Sequence, residues 1–149
     1  MNSREELFTH SVARFRSSFP LSVLQSWSNR HSYDLALALN QAATVILGHP
    51  VAFLALSFRT PSHTKELFLT IEIDGAPFDI FGTNVLVRIE EAAFDELGIV
   101  NQERLHSMDN LLALLARQDF FLNYWPPEQC FSSLVLDGIL SAAQELSVI

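Results

Sequence analysis

Apolar residues in the first third of the chain recur at the spacing of amphipathic helices. Ser3 and Glu6 have the separation of a capping box, in which each side chain satisfies a free backbone amide at a helix start. Pro20 suits a first helical turn, and Gly48, with Pro50 beyond it, suits a helix end. These signals predict three helices: Ser3–Arg16, Pro20–Ser28 and Tyr33–Leu47. The residues expected to face inward from the first two are Leu7, Val12, Phe15, Leu21, Leu24 and Trp27.

After residue 50 the pattern changes to short runs of β-forming residues. The predicted strands are Val51–Arg59, Glu66–Ile73, Phe78–Phe81 and Val85–Ile89, the last of which also fits the approach to a short helix at Glu90–Leu97. Alternation in the second run predicts one shared face for Leu67, Leu69, Ile71 and Ile73. Asp74 and Gly75 predict a tight hairpin turn, because glycine accepts a positive φ. Pro77 indicates an edge strand or an irregular strand start.

The final third of the chain returns to helical spacing. Asn101 is a typical helix N-cap residue, so we predict a helix from Gln102 to Arg117. Its expected apolar side consists of Leu105, Met108, Leu112 and Leu115. A short aromatic strand within Asp119–Trp125 and a last helix at Glu128–Val148 complete the pattern. We therefore expect an α+β fold in a single domain, residues 1–149, with amino-terminal helices, a central mostly antiparallel sheet of about four to five strands, and carboxy-terminal helices.

Composition narrows the class of protein. A chain of 149 residues, 49% of them hydrophobic, is long enough to bury a core without disulfides or metals. Cys130 is the only cysteine, which excludes an internal disulfide and favours a reducing compartment. Neither a secretory signal nor an apolar run of about 20 residues occurs, so we expect a cytoplasmic protein without membrane insertion. The net charge of −8 disfavours nucleic acid as a partner, because Lys and Arg supply the affinity for phosphates.

Catalytic motifs are missing from the sequence. No two of the five histidines lie three or four residues apart, and the five glycines form no nucleotide-binding motif. We therefore predict no catalytic residue, no cofactor and no metal. One alternative stays open, a small hydrolase that uses either Cys130 at the start of a helix or the carboxylates of Glu90–Glu96.

The acidic charge is concentrated in the centre of the chain. Residues 1–33 hold four arginines and two glutamates, whereas residues 66–109 hold ten acidic side chains and two arginines, a net charge of −8. Such a field would steer a basic partner surface toward the centre, although solubility explains it equally well.

Aromatic residues supply further candidates for a protein interface, because they are common anchors there. We expect Trp27, on a short helix bounded by polar residues, to be an exposed anchor. The ring-rich segment before Pro126 is either a second anchor or a core strand covered on both faces. With the acidic residues, the predicted partner-binding set is Trp27, Glu72, Asp74, Asp79, Glu90, Glu91, Asp95, Tyr124 and Trp125.

Two segments of the chain resemble a known protein family. Residues 46–51 read ILGHPV and lead from a helix into an apolar strand, and residues 67–80 read LFLTIEIDGAPFDI. Together with the helix expected at 103–117, they resemble the amino-terminal region of the type III secretion cytoplasmic-ring (sorting-platform) proteins, over about residues 35–125. In size and acidity the chain is also similar to type III secretion effector chaperones, which are small acidic α/β homodimers that bind an unfolded segment of their cargo. Either resemblance implies the bacterial cytosol and protein partners.

These observations predict a non-enzymatic protein-binding module of the bacterial cytosol. On the resemblance, it would be a type III secretion accessory, either a sorting-platform component or a chaperone. Its expected partner is another protein with a basic surface. An immunity protein that covers a basic toxin is the alternative within the binding class, and a homodimer is as compatible with the sequence as a monomer.

Overall fold

The computed structural model describes residues 3–30, 32–59, 65–83, 85, 101–116, 121–122 and 129–147. The helices in this part of the chain are α1 (Ser3–Arg16), α2 (Leu21–Arg30), α3 (Ser32–Leu47), α4 (Met108–Ala116) and α5 (Gln129–Ser147). The strands are β1 (Phe53–Arg59), β2 (Lys65–Ile73), β3 (Ala76–Phe78), β4 (Asn101–Leu105) and β5 (Phe121–Leu122). Helices at both ends and strands between them confirm the predicted α+β class.

The strands form one mostly antiparallel sheet, as predicted. Its order is β3-β2-β1-β4, and each of these neighbours is antiparallel. Strand β5 pairs in parallel with the beginning of β2, where Glu66 lies opposite Phe121. Strand β1 is therefore central, and it places the end of β2 and the end of β4 at the same end of the sheet.

The turn between β2 and β3 has the backbone that its sequence predicts. Asp74 and Gly75 have φ values of 54° and 77°. Two consecutive positive φ angles are typical of a type I′ hairpin turn, whose twist matches that of the flanking strands. The hairpin prediction is confirmed.

Pro77 lies in β3 at a position where its missing N–H removes no bond to β2. The amide of Glu72 donates to the carbonyl of Ala52, the residue just before β1, at 2.9 Å. Because the two edges of a strand alternate, the backbone polar groups of Glu72 point toward β1 and away from β3. Glu72 and Pro77 face each other as a non-hydrogen-bonded pair. The edge position predicted for Pro77 agrees with this register.

The main core lies between the sheet and the helices α1, α3 and α5. Helix α3 packs on β2, and α5 packs on both α1 and α3. Leu69, Ile71 and Ile73 of β2 point into this core, together with Ala55 and Phe53 of β1, which lie opposite Leu69 and Ile71. Among the residues that the structure describes, the largest fully buried side chains are Phe8, Phe78, Leu39, Leu56, Leu69, Ile71, Ile80, Leu111, Ile139, Val12 and Val85. Among the described helices, none combines the length and the apolar character needed to span a membrane.

The centre of the sheet is buried on its second face as well. Leu54, Leu56 and Phe68 point away from the main core and are nevertheless buried. Thr70 lies among them, and its hydroxyl donates to the carbonyl of Leu54 at 3.2 Å, which satisfies a polar group inside an apolar layer. Burial on both faces explains why β1 reads as an almost continuous apolar run.

Helix α5 approaches α1 closely at Gly138. A Cβ at that position would overlap the ring of Phe15, so only glycine fits without a shift. About two turns further along α5, Glu145 accepts from Arg14 Nε at 2.8 Å in an exposed ion pair. The glycine therefore sets the distance between the two helices, and the ion pair adds little because exposed pairs are worth about 0–1 kcal/mol.

The predicted helix from Gln102 to Arg117 is wrong over its first half. Residues 101–105 form β4, which pairs with β1 through contacts such as Leu105 opposite Phe53. Asn101 begins this strand and does not cap a helix. Helix α4 begins only at Met108, and it buries Leu111 and Leu114, while Leu112 is 52% exposed. Pairing with the central strand outweighs the helix propensity of the segment.

Two of the residues predicted to face inward, Leu7 and Leu21, are not buried. In α1 the buried residue is Phe8, while its neighbour Leu7 is only partly covered. In α2, Leu24 is buried but Leu21, at the helix start, is 61% exposed. A strict 3.6-residue pattern does not fix which of two adjacent apolar residues faces the core, because that depends on where the neighbouring helices lie.

Candidate functional site

A cleft of about 270 Å³ opens at the end of the sheet where β1 begins and where β2 and β4 end. We call it the end cleft. Its lining comes from α1, the end of α3, the segment before β1, the β2–β3 hairpin and the residue after β4. The lining residues are Glu5, Leu47, His49, Pro50, Val51, Ala52, Glu72, Ile73, Asp74 and His106. Three carboxylates and two imidazoles from separate parts of the chain therefore surround one opening.

Glu72 belongs to the acidic residues predicted from the charge distribution, and it is held by Arg104. Its Oε2 accepts from Arg104 Nε at 2.7 Å and lies 2.6 Å from Nη2. The glutamate side chain is 19% exposed and the arginine side chain 51%. The two residues lie on β2 and β4, the strands on either side of β1, so the pair spans β1 on one face of the sheet. The pair has no net charge, because the guanidinium of Arg104 balances the carboxylate of Glu72.

Asp74 is the second predicted residue in the end cleft. It is exposed and occupies the first central position of the type I′ turn, with φ of 54°. Aspartate is one of the few residues besides glycine that tolerate this backbone. The turn therefore presents a carboxylate at the cleft rim on a rigid hairpin.

Sequence reasoning missed Glu5, His49 and His106. Glu5 lies in the first turn of α1, and one of its carboxylate oxygens is buried. His49 follows the helix-ending Gly48, and its Nδ1 lies 3.1 Å from the carbonyl of Pro50. His106 directly follows β4. These three are far apart in the sequence, and only the packing of α1 and α3 on the sheet end brings them together.

The amino-terminal wall of the end cleft is fixed by an arginine contact. Arg4 Nη1 donates to the carbonyl of Leu47 at 3.1 Å, at the end of α3. A cation at a helix carboxyl terminus also interacts favourably with the helix dipole. Gly48 follows with φ of 81°, the backbone of a helix-ending residue. The contact fixes the start of α1, and hence Glu5, against the end of α3.

Asp79 is a structural residue, which corrects its place in the predicted partner-binding set. It is 2% exposed, and its Oδ1 accepts from the amide of Phe81 at 2.8 Å. The backbones of Asp79 and Gly82 exchange two hydrogen bonds of 3.0 and 2.9 Å. The side chain thus stabilises the turn after β3 and presents no charge to a partner.

Trp27 is half-buried, so the expectation of a freely exposed anchor is also corrected. Its ring lies 4.8 Å from that of Phe19 and 6.3 Å from that of Phe15, measured between centroids. Phe15 and Phe19 are themselves 5.0 Å apart. This aromatic cluster attaches α2 to α1, because the three rings come from both helices and the turn between them.

The remaining predicted residues lie outside the described part of the chain. They are Glu90, Glu91, Asp95, Tyr124 and Trp125. Cys130 is the second residue of α5, as expected from the sequence, but its side chain is likewise outside the description. Among the side chains that are described, no three from His, Cys, Asp and Glu are placed to hold a metal ion.

The end cleft combines a small volume with several carboxylates. Small-molecule pockets usually measure about 300–1,000 Å³, so a cleft of about 270 Å³ suits a single side chain better than a drug-sized ligand. Glu5, Glu72 and Asp74 give it an acidic lining, and the nearest partner of Glu72 is Arg104. A cationic side chain is the group that complements this lining.

No protein-family model, curated protein or solved structure matches the chain. Its function is therefore inferred from the residues of the site.

Proposed function

We propose that the protein is a non-enzymatic protein-binding module, and that its end cleft receives a basic side chain from the partner. The observation that carries the proposal is the convergence of Glu5, Glu72 and Asp74 on one opening at the end of the sheet. An arginine or lysine inserted there would meet carboxylates on several sides. Hydrogen bonds between oppositely charged groups are about twice as strong as those between neutral groups.

The charge pattern of the chain supports the same partner class. The centre of the sequence carries a net charge of −8, and the end cleft draws two of its carboxylates, Glu72 and Asp74, from this region. Long-range attraction would speed the encounter with a basic surface, and the cleft would then fix the register of binding.

The narrower proposal is a type III secretion accessory that acts in the bacterial cytosol, as a sorting-platform component or a chaperone. It is supported by the resemblance of residues 35–125, a range that includes β1–β4 and the end-cleft residues from Leu47 to His106. An immunity protein would use an acidic cleft in the same way, against a basic toxin. The identity of the captured partner distinguishes the two.

The test begins with affinity capture from the source organism and identification of bound proteins by mass spectrometry. Binding of the purified partner is then measured by calorimetry for Glu5→Gln/Asp74→Asn. A matched control, Glu6→Gln/Asp137→Asn, removes the same charge from exposed positions outside the end cleft. We expect the cleft variant to bind at least about tenfold more weakly, equivalent to 1.4 kcal/mol, and the control to bind normally.

Two results would contradict the proposal. One is the recovery of no protein partner, and the other is equal binding by the cleft variant and its control. The hydrolase alternative is tested in parallel, because function should survive Cys130→Ala and Glu91→Gln. Loss of function in a folded variant that still binds the partner would favour the enzyme.

A further inference from the structure

Glu72, Ala52 and His106 form one row across the end of the sheet, and all three line the end cleft. The residue after Ala52 pairs with the residue before Glu72 on one side and with the residue before His106 on the other. Since neighbouring strands lie about 4.8 Å apart, the Cα atoms of Glu72 and His106 are about 10 Å apart. The row therefore contains a gap with the methyl group of Ala52 as its floor, a glutamate on one side and a histidine on the other.

Arg104 engages only one of the two carboxylate oxygens of Glu72. Its Nε and Nη2 lie 2.7 and 2.6 Å from the same atom, Oε2. Within the described part of the chain, nothing donates to the other oxygen, Oε1. Glu72 lines the end cleft, whereas Arg104 does not. The glutamate thus offers one oxygen, Oε1, to a group that enters the cleft.

Asp74 supplies the acceptors next to this oxygen. It is exposed and follows Glu72 by two residues, so the two Cα atoms are about 6–7 Å apart. Among the described residues, no cation pairs with Asp74. Because Arg104 balances Glu72, these three side chains together carry a formal charge of −1. A single positive charge on the ligand complements this side of the end cleft.

The single available oxygen of Glu72 suits an ammonium group better than a guanidinium group. Arginine pairs most strongly with a carboxylate through two parallel hydrogen bonds, one to each oxygen. The ammonium of lysine is a compact charge with three donors, which separate acceptors can share. It would donate to Glu72 Oε1 and to Asp74 at the same time. An arginine would find two oxygens on Asp74, but that carboxylate is exposed, and exposed ion pairs contribute little.

We propose that the end cleft selects lysine over arginine, and that Arg104 sets this selectivity by holding Oε2 of Glu72. The inference rests on the proposed function and specifies which basic side chain the partner inserts. Arg104 is a positioning residue, because it acts through Glu72 and does not line the cleft. A primary ammonium group also occurs at the amino terminus of a protein, so the experiments separate that source from lysine.

The first experiment changes the chemistry of the captured partner and keeps its charge. Guanidination with O-methylisourea converts lysine side chains to homoarginine and leaves the amino-terminal amine unmodified. We expect the guanidinated partner, checked for its fold by circular dichroism, to bind at least about tenfold more weakly in calorimetry. Unchanged binding after guanidination overturns the proposal. So does a loss of binding that follows acetylation of the amino terminus alone, since it assigns the cleft to that amine.

The second experiment assigns the preference to Arg104. Blocked alanine pentapeptides with a central lysine or arginine are titrated into the full chain, and the amide of Asp74 is followed by NMR. We expect the lysine peptide to bind at least about fivefold more tightly than the arginine peptide. Arg104→Leu makes both oxygens of Glu72 available, so the ratio of the two affinities should fall to about one. Arg14→Leu, which removes an arginine from the exposed pair with Glu145, should keep the original ratio.

The ratio distinguishes positioning from a merely structural role of Arg104. If Arg104 only stabilised the sheet, Arg104→Leu would weaken both peptides alike and leave the ratio unchanged, and that result overturns the proposal. Equal binding of the two peptides by the unchanged chain also overturns it. Arg104→Lys retains a cation that can reach Oε2, so this variant should restore part of the preference for lysine.

The two proposals fail in different ways. A natural partner that is lost in Glu5→Gln/Asp74→Asn but still binds the unchanged chain after guanidination supports the end cleft and refutes the selectivity for lysine. If no protein partner is captured but the lysine peptide binds in preference to the arginine peptide, and Arg104→Leu removes that preference, the selectivity stands and the proposed function fails.

Discussion

The guanidinium of Arg4 occupies the space that a side chain on Gly48 would need. Arg4 Nη1 donates to the carbonyl of Leu47, and a Cβ on the next residue would overlap that nitrogen. Gly48 also has φ of 81°, which disfavours any residue with a Cβ. Two separate effects thus require glycine at the junction that fixes α1 against α3 and forms one wall of the end cleft.

Gly48→Ala should lower the free energy of unfolding by about 2–3 kcal/mol. The positive φ costs about 1–2 kcal/mol, and loss of the Arg4–Leu47 hydrogen bond adds about 1 kcal/mol. Gly75→Ala is the matched control, because Gly75 has φ of 77° and nothing within 4 Å of its Cβ position. Gly75→Ala should lose only the free energy that the positive φ costs, about 1–2 kcal/mol. Urea denaturation of both variants measures the difference.

The Arg4 contribution is isolated by a double-mutant cycle. In an Arg4→Ala background, Gly48→Ala should cost no more than Gly75→Ala, because the overlapping guanidinium is gone. Equal costs for the two glycines in the unchanged chain would show that Arg4 moves aside freely.

Gly138→Ala should destabilise the protein by about 1–3 kcal/mol, although alanine is the better helix former. Helix propensity alone favours alanine by about 1 kcal/mol. The added Cβ would overlap the ring of Phe15, and inserting a methyl group into a tight helix contact forces a backbone shift. Ser141→Ala, at an exposed position of the same helix, should be neutral or slightly stabilising. Thermal unfolding followed by circular dichroism compares the two, and a more stable Gly138→Ala would disprove the close contact.

Asp79→Ala should lower stability by about 1–3 kcal/mol, because the partly buried amide of Phe81 loses its acceptor. Asp79→Asn retains a side-chain oxygen at that position and should cost less. Asp74→Asn, in the exposed turn, should leave stability within about 0.5 kcal/mol. Chemical denaturation measures all three variants. If Asp79→Ala were as stable as the unchanged chain but bound the partner more weakly, Asp79 would return to the partner surface.

Trp27→Ala should destabilise the protein by about 1–3 kcal/mol, less than the loss of a fully buried tryptophan. The indole packs on Phe15 and Phe19, but part of it stays exposed. Leu21→Ala is the control on the same helix, since Leu21 is 61% exposed and should change stability by about 0.5 kcal/mol or less. Urea unfolding reports both values. A stable Trp27→Ala variant with weakened partner binding would restore the anchor hypothesis.

Signals contained within a few neighbouring residues were predicted well. Ser3 begins α1, Gly48 ends α3 in a left-handed backbone, and Asp74-Gly75 forms the predicted turn. Each depends on local sterics and on nearby backbone hydrogen bonds. The third helix, predicted to end before Gly48 and Pro50, is confirmed from Ser32 to Leu47.

The acidic site was predicted in part. The charge distribution singled out Glu72 and Asp74, and both line the end cleft. It also included Asp79, because a charge count along the chain does not distinguish an exposed carboxylate from one buried in a turn. Glu5 was missed, because the amino-terminal segment has a positive net charge and lies far from the acidic centre in the sequence.

The sequence by itself determined the α+β class, most of the helices, the hairpin turn and the acidic centre, because these depend on residue type and on spacing within about one turn. Tertiary structure decided that residues 101–105 are a strand, since only pairing with β1 offers their backbone a better partner than a helix. It also decided the cleft, where α1, α3 and the ends of β2 and β4 meet. Long-range packing sets which distant side chains share a surface, and apolar patterns within single elements do not contain that information.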